Sequence, residues 1–374
     1  MYIELKSKKC YNLSHLIING TKKKFKERRE KYGEYADDLG KSVPFDEFYQ
    51  AMRQGLVRLP FFLHGGYLEY ELREKESMYR KKEVLPMKTA VMTDSNSGIM
   101  KAEAEAMGIF LISMPVIIDG KVCYEGVDLT QESFYNSLTG GREVSTSQPS
   151  PGEVMGLWDE ILKAGYEEVI YIPMSSGLSN SCETAIGLSR EYEGKVMVAD
   201  NHRISVTMRE SVLEAKRMAD MGASAKEIKE QLETYAYDAS IYIAVNTLEF
   251  LKKGGRVTAA GAALGAVLNV KPILTIQGGK LDAFAKVRGM KKCKNKMIEA
   301  LQKDLDTRFA EVDRKQIQFG AAGAGLSQEE AEEWKNALTE AFPGANVYYN
   351  PLSFSIGSHT GPGAIGVGMC VTRI

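Results

Sequence analysis

Four segments carry residue types and spacings that could do chemistry. The first is Ser175-Ser176-Gly177-Leu178-Ser179-Asn180-Ser181, four serines around a glycine between an apolar run and an amphipathic one. At a strand–turn–helix junction, backbone N–H groups and the positive helix end converge on one point, which favours an anion. Serine hydroxyls can complete the shell around a carboxylate or phosphate. A plain turn with a serine cap reads the same without any ligand. The second segment, Ser145-Thr146-Ser147-Gln148-Pro149-Ser150-Pro151-Gly152-Glu153, is another hydroxyl-rich helix entry. Alone it is a capping box. If both loops leave consecutive units of one parallel sheet, they meet at the same edge and one ligand could span them.

In the third segment, Leu251-Lys252-Lys253-Gly254-Gly255-Arg256-Val257, the glycine pair permits a tight turn and Arg256 offers a fixed cationic fork. A surface arginine after a turn is the alternative. The fourth, His359-Thr360-Gly361-Pro362-Gly363, is a rigid turn holding one of four histidines, and a structural role is its alternative. Other chemistries lack their residues. No GxGxxG turn follows the first expected strand, and no GxxxxGK[ST] loop is present. Gly361-Pro362-Gly363-Ala364-Ile365-Gly366 matches the letters GxGxxG but leads into a strand. No GxSxG elbow surrounds Ser175 or Ser176. His15, His64, His202 and His359 have no metal-ligand spacing, so no metal site is expected. A Ser176–His359 pair would suit an acyl hydrolase or acyltransferase, yet no third group in the sequence orients the histidine.

The pattern from residue 87 onward supplies the scaffold these segments need. Residues 88–93 read as a buried strand and 94–98 as a turn, with a helix following through 107. Residues 109–118 are strand material ending at Asp119-Gly120. A helix over 154–163 is marked by Ser150 as cap, Pro151 at its first position and Glu153 completing a capping box. Residues 168–174 form a strand, a helix runs through 192, and 195–199 form a further strand. Helices follow near 204–221 and 224–235. Strands alternating with helices imply a parallel, doubly wound α/β sheet. From about 247, strands over 267–276, 317–322 and 366–372 mix with two helices in a second α/β domain. The expected divisions are an N-terminal extension over 1–86, a first domain over 87–247 and a second over 248–374.

Among the 374 residues, 44% are hydrophobic and 26% charged, the balance of a globular protein. Lys+Arg number 48 against Asp+Glu 49, so no global basic field draws in nucleic acid. Cys10, Cys123, Cys182, Cys293 and Cys370 are odd in number and form no CxxC pair, which fits a reducing cytoplasm. Residues 259–270 form the longest run of small apolar residues, too short for a transmembrane segment. Lys22, Lys23, Lys24, Lys26, Arg28, Arg29 and Lys31 make a basic run, read as a solvated helical face rather than a nucleic-acid site. The segment from Gly40 to Gly55 echoes that from Gly126 to Gly141, which makes the extension a candidate truncated repeat of the first module.

Taken in order, these segments resemble the DegV family, fatty-acid-binding proteins that act as the acyl-carrying subunit of bacterial fatty acid kinase. The resemblance runs through Thr93-Asp94-Ser95, Thr146-Ser147-Gln148-Pro149-Ser150, Ser175-Ser176-Gly177-Leu178-Ser179, Val198-Ala199-Asp200, Gly254-Gly255-Arg256-Val257, Asn269-Val270-Lys271-Pro272-Ile273-Leu274, Lys286-Val287-Arg288-Gly289 and His359-Thr360-Gly361-Pro362-Gly363. It departs from the family at Asn180-Ser181, where Gly-Thr is usual, and does not cover residues 1–86.

The resemblance implies a two-domain fold with a Rossmann-like first domain and an α/β second domain. It implies that Thr146 and Ser176 hydrogen-bond a fatty-acid carboxylate, with Ser175, Gly177, Ser147, Arg256 and His359 as neighbours. The acyl chain would lie between elements of the first domain. The expected ligand is a long-chain fatty acid, palmitate- or oleate-like, with no other cofactor. The partner is the catalytic subunit of the kinase, docked through Lys286, Arg288, Lys291 and Lys292, so the chain itself is not an enzyme. Transient contact with a membrane surface is compatible with this role. About fifteen methylenes at ~0.8 kcal/mol each offer on the order of 12 kcal/mol of gross transfer free energy. Chain ordering and carboxylate desolvation offset much of that.

Overall fold

The computed structural model describes residues 10–12, 42–44, 89–264 and 270–374. Two units divide the chain, Met1–Val84 and Leu85–Ile374. In the first, β1 (Cys10–Asn12) lies antiparallel to β2 (Ser42–Pro44), with Cys10 opposite Pro44. The basic run over 22–31 and most of the internal echo from Gly40 lie outside the described residues.

In the second unit, β3 (Thr89–Asp94) is buried at all six positions. Such a run, apolar on both faces, belongs inside a parallel sheet. α1 (Lys101–Met107) leads to β4 (Ile109–Ile112), which pairs parallel to β3. β5 (Val116–Ile118) and β6 (Lys121–Cys123) make an antiparallel hairpin. Its turn is Asp119 at φ 50° and Gly120 at φ 80°, the left-handed pair a two-residue hairpin requires. α2 (Gln131–Thr139) carries the chain to β7 (Val144–Thr146). α3 (Pro151–Lys163), β8 (Glu168–Ile172), α4 (Ser181–Ser189) and β9 (Val196–Val198) complete a parallel sheet ordered β4-β3-β8-β9. α5 (Ser205–Asp220) and α6 (Ala225–Thr234) cover one face through Val212 and Ile228. Trp158 and Ile161 of α3 cover the other. This is the parallel sheet that the alternation implies and the Rossmann-like one that the resemblance implies.

Two expectations change. Residues 109–118 are not one strand, because the run breaks between β4 and β5 around Pro115, which has no N–H for a ladder. β7 does not join the parallel sheet. It pairs antiparallel with β5, Val116 opposite Thr146, so the Thr146 loop is not the next βα unit of the sheet that bears the serine loop.

β10 (Ala239–Ala244) opens the second sheet. α7 (Glu249–Gly254), α8 (Ala259–Ala262), β11 (Val270–Ile276), β12 (Asp282–Arg288) and α9 (Met290–Asp306) follow. Then come β13 (Ile317–Gly323), α10 (Gln328–Ala341), β14 (Asn346–Pro351), α11 (Phe354–Thr360) and β15 (Ile365–Val371). The order is β12-β11-β10-β15-β13-β14, antiparallel except for β13 and β14. β10 pairs with both β11 and β15, so this sheet begins at Ala239, earlier than the boundary expected near 248. Met297, Leu301 and Trp334 of α9 and α10 bury one face against Phe319, Val367 and Met369.

The opposite face carries Ile241, Ile243, Leu274 and Ile276, with glycines on β13 and β15. Gly320 and Gly368 are partners across those two strands, and α5 presses on them through Val206. A Cβ on Gly320 would lie 2.5 Å from Val206 Cβ, and one on Gly368 would lie 2.7 Å from its Cγ2. Only glycine lets helix and sheet approach this closely. No described helix is long and apolar enough to cross a membrane.

Candidate functional site

The last turn of α11 presents His359, whose Nε2 lies 2.9 Å from Thr146 Oγ1 at the end of β7. The start of α11 is fixed by Ser353, whose hydroxyl accepts the Ile356 N–H at 3.3 Å. α7 ends against the imidazole, where a Cβ on Gly254 would fall 2.1 Å from His359 Nδ1. Burial and the nearby Arg256 guanidinium push the His359 pKa down to about 4. At neutral pH it is an uncharged ring, with one nitrogen donating and the other accepting.

Arg256 ties the glycine-pair turn to the serine loop, its Nε donating to Leu178 O at 3.1 Å and its Nη1 to Gly254 O. The serine loop is held from both sides. Ser175 Oγ donates to Gly278 O, and a Cβ on Gly177 would meet that same oxygen at 2.4 Å. The Leu178 N–H folds back on Ser175 O at 3.0 Å, and Ser179 Oγ accepts the Ser181 N–H at 3.2 Å.

Two carboxyls brace these parts, Asp94 fully buried and Glu125 partly so. Asp94 accepts the N–H of Met174 and of Asn96, each at 2.8 Å, which joins the ends of β8 and β3. Burial pushes its pKa up to about 6. Glu125 accepts the Phe354 N–H at the first residue of α11 at 3.0 Å, and burial lifts its pKa to about 7.

These parts enclose a cavity of about 100 Å³. Met114, Met174, Leu178 and Ile204 contribute apolar wall from the first domain. Ile241, Ile243, Ile276 and Ala322 contribute it from the face of the six-stranded sheet opposite α9 and α10. The walls are therefore shared between domains, where the resemblance implied elements of the first. Thr146, Ser147, Gln148, Ser179, Arg256 and His359 bring polar groups to the cavity. An apolar cleft with a few placed polar groups is the usual form of a small-molecule site. This one can hold an anionic head between hydroxyls, a neutral imidazole and a guanidinium, with an apolar tail against the sheet.

Of the residues expected at the site, Thr146, Ser147, Arg256 and His359 line the cavity, while Ser175, Ser176 and Gly177 do not. Ser175 is engaged with Gly278, and the Ser176 N–H donates to Asp200 Oδ1 at 3.2 Å. The Ser176–His359 pair that a hydrolase would need is not formed, because His359 Nε2 meets Thr146 instead. Lys286, Arg288, Lys291 and Lys292 lie away from the cavity, exposed on the edge strand β12 and the first turn of α9. Sequence reasoning misses Ser179 and Gln148 as lining residues. The contact that brings Arg256 to Leu178, next to Ser179, is tertiary and leaves no local signal.

Residues 88–372 match the sequence profile described as an uncharacterised protein of the DegV family. A DegV domain-containing protein of Deinococcus radiodurans is 30% identical over 289 residues, covering 76% of this chain and 98% of that one. Another, from Caldanaerobacter subterraneus, is 33% identical over 287 residues, covering 75% and 98%. Among solved structures, a DegV family protein from Thermus thermophilus, named for fatty acid binding, superposes with a TM-score of 0.69 at 27% identity, covering 76% of this chain and 99% of that one. DegV from Bacillus subtilis, named as a fatty acid binding protein, gives 0.66 at 29%, again covering 76% and 99%. Fold, motif order and sequence agree: this chain belongs to the DegV family.

Proposed function

We propose that the chain binds a long-chain fatty acid, palmitate- or oleate-like, in this cavity and presents its carboxylate to a separate fatty acid kinase. The observation that carries the reading is one apolar cavity reached by an uncharged His359–Thr146 pair and by Arg256. The Thermus and Bacillus relatives, both named for fatty acid binding, support it. The tail lies against Ile241, Ile243 and Ile276, and the head group takes hydrogen bonds from Thr146, Ser179 and Arg256. Apolar burial supplies the affinity, while the polar groups limit the desolvation cost of the carboxylate. The Ser176 hydroxyl joins the head group only if the loop turns it inward. Catalysis belongs to the partner, which docks on Lys286, Arg288, Lys291 and Lys292.

Protein purified without added lipid should release a stoichiometric long-chain acid into organic solvent, identified by mass spectrometry. Combining Thr146→Val with Arg256→Met should reduce its affinity by about tenfold to a hundredfold, the value of one or two charge-assisted hydrogen bonds. A protein that carries no acid and refuses both palmitate and oleate ends the reading. Charge reversal at Arg288 and Lys291 should slow turnover by the kinase without changing fatty acid affinity. Unchanged turnover would remove that docking surface.

A further inference from the structure

The cavity has a second polar feature, separate from the Thr146–His359 pair. α5 begins at Ser205, which lines the cavity, is 8% exposed and has φ 56°. Its hydroxyl has no hydrogen-bond partner among the described residues. The preceding residue, Ile204, carries no capping oxygen, so the first N–H groups of this 16-residue helix have no side-chain acceptor. A helix N-terminus carries positive partial charge and directs its donors along the axis. Left-handed backbone favours glycine, so serine at this φ keeps its hydroxyl against backbone strain.

The sheet register places this feature. Val206, the next residue, stands over Gly320 and Gly368. The end of the sheet towards α11 is marked by Gly323 opposite Ile365, three residues further along β13. At about 3.3 Å per residue that is roughly 10 Å. An apolar wall containing Ala322 and Ile243 lies between the two polar features.

We propose that Ser205 and the open N-terminus of α5 form a subsite for an oxygen substituent, a hydroxyl or keto group, carried partway along a fatty acid chain. This rests on the reading of the cavity as a fatty acid site. A plain methylene at this point covers the Ser205 hydroxyl and the helix N–H groups without offering an acceptor, whereas a chain oxygen satisfies them. The ligand class is therefore an oxygenated long-chain fatty acid.

Octadecanoic acid and its monohydroxy derivatives, with the hydroxyl stepped along the chain, can be titrated into the full chain and its Ser205→Ala and Ser205→Gly forms. One or two adjacent mid-chain positions should bind the unaltered protein at least tenfold tighter than octadecanoic acid does. Both variants should lose that advantage, with octadecanoic acid bound at least as tightly as by the unaltered protein, because the unsatisfied hydroxyl is gone. Ser205→Gly, relieved of strain, should melt no lower than the unaltered protein, which separates loss of the subsite from loss of the fold. A flat series, or a preference that survives both substitutions, overturns the subsite and leaves the fatty acid reading standing. Failure of every acid in the series to bind overturns both.

Discussion

His359 stays uncharged at neutral pH because burial and Arg256 both push its pKa down, to about 4. An unfolded histidine titrates near 6.5. Its contribution to stability is therefore complete above about 6.5 and is lost as pH falls through 4, on the order of 3 kcal/mol at the acid end. Two carboxyls act with the opposite sign. Burial raises Asp94 to about 6 and Glu125 to about 7. Their neutral forms favour the fold fully below the unfolded value near 4, and that contribution is lost as pH rises through 6 and 7. Glu125→Gln keeps an acceptor for the Phe354 N–H and removes the ionisation. Its stability should exceed that of the unaltered protein by about 2–3 kcal/mol at pH 8 and converge on it near pH 4, read from urea midpoints. A pH-independent offset would show that Glu125 does not titrate in this range.

At the scale of elements, the proposed reading lays the tail on the face of the six-stranded sheet opposite α9 and α10, which sets the room available to it. Gly366 lines the cavity, and a Cβ there would have no neighbour nearer than 3.6 Å, so a larger side chain extends into the space. Gly366→Leu should cut affinity for sixteen- and eighteen-carbon acids at least tenfold and spare short ones, with little change in melting temperature. Equal loss across all lengths would place the tail elsewhere. Some of these elements were legible in the sequence and others were not, for a physical reason. The start of α3 was legible because its whole signal lies within four residues: Ser150 Oγ takes the Glu153 N–H at 3.2 Å, and Glu153 takes the Ser150 N–H at 2.8 Å. β7 was not, because three residues choose a sheet by tertiary packing rather than propensity. The Thr146 hydroxyl is legible in the sequence, but its strand pairs with β5 and not with the parallel sheet. It still reaches the cavity, because β7 delivers it to α11. Ser176 and Ser179 differ only in how the loop turns, and that is decided by Gly278 and Arg256 from the other domain.

At the scale of the molecule, the family match occupies residues 88–372, and relatives are covered to 98% by about three quarters of this chain. The family fold therefore needs nothing from the extension. A chain of residues 87–374 should unfold in one cooperative transition at the same urea midpoint and keep its fatty acid affinity. A tenfold loss of affinity with the midpoint unchanged would give residues 1–86 a part in binding. If the proposed reading holds, the Thr146–His359 hydrogen bond shapes how a fatty acid enters and leaves. Each group already satisfies the other, so an arriving carboxylate exchanges partners rather than meeting bare ones, and a departing one allows the pair to re-form. The head group then selects cargo without gripping it. On the proposed reading, how long a fatty acid stays is governed by the length of its tail, which suits presentation to a separate kinase.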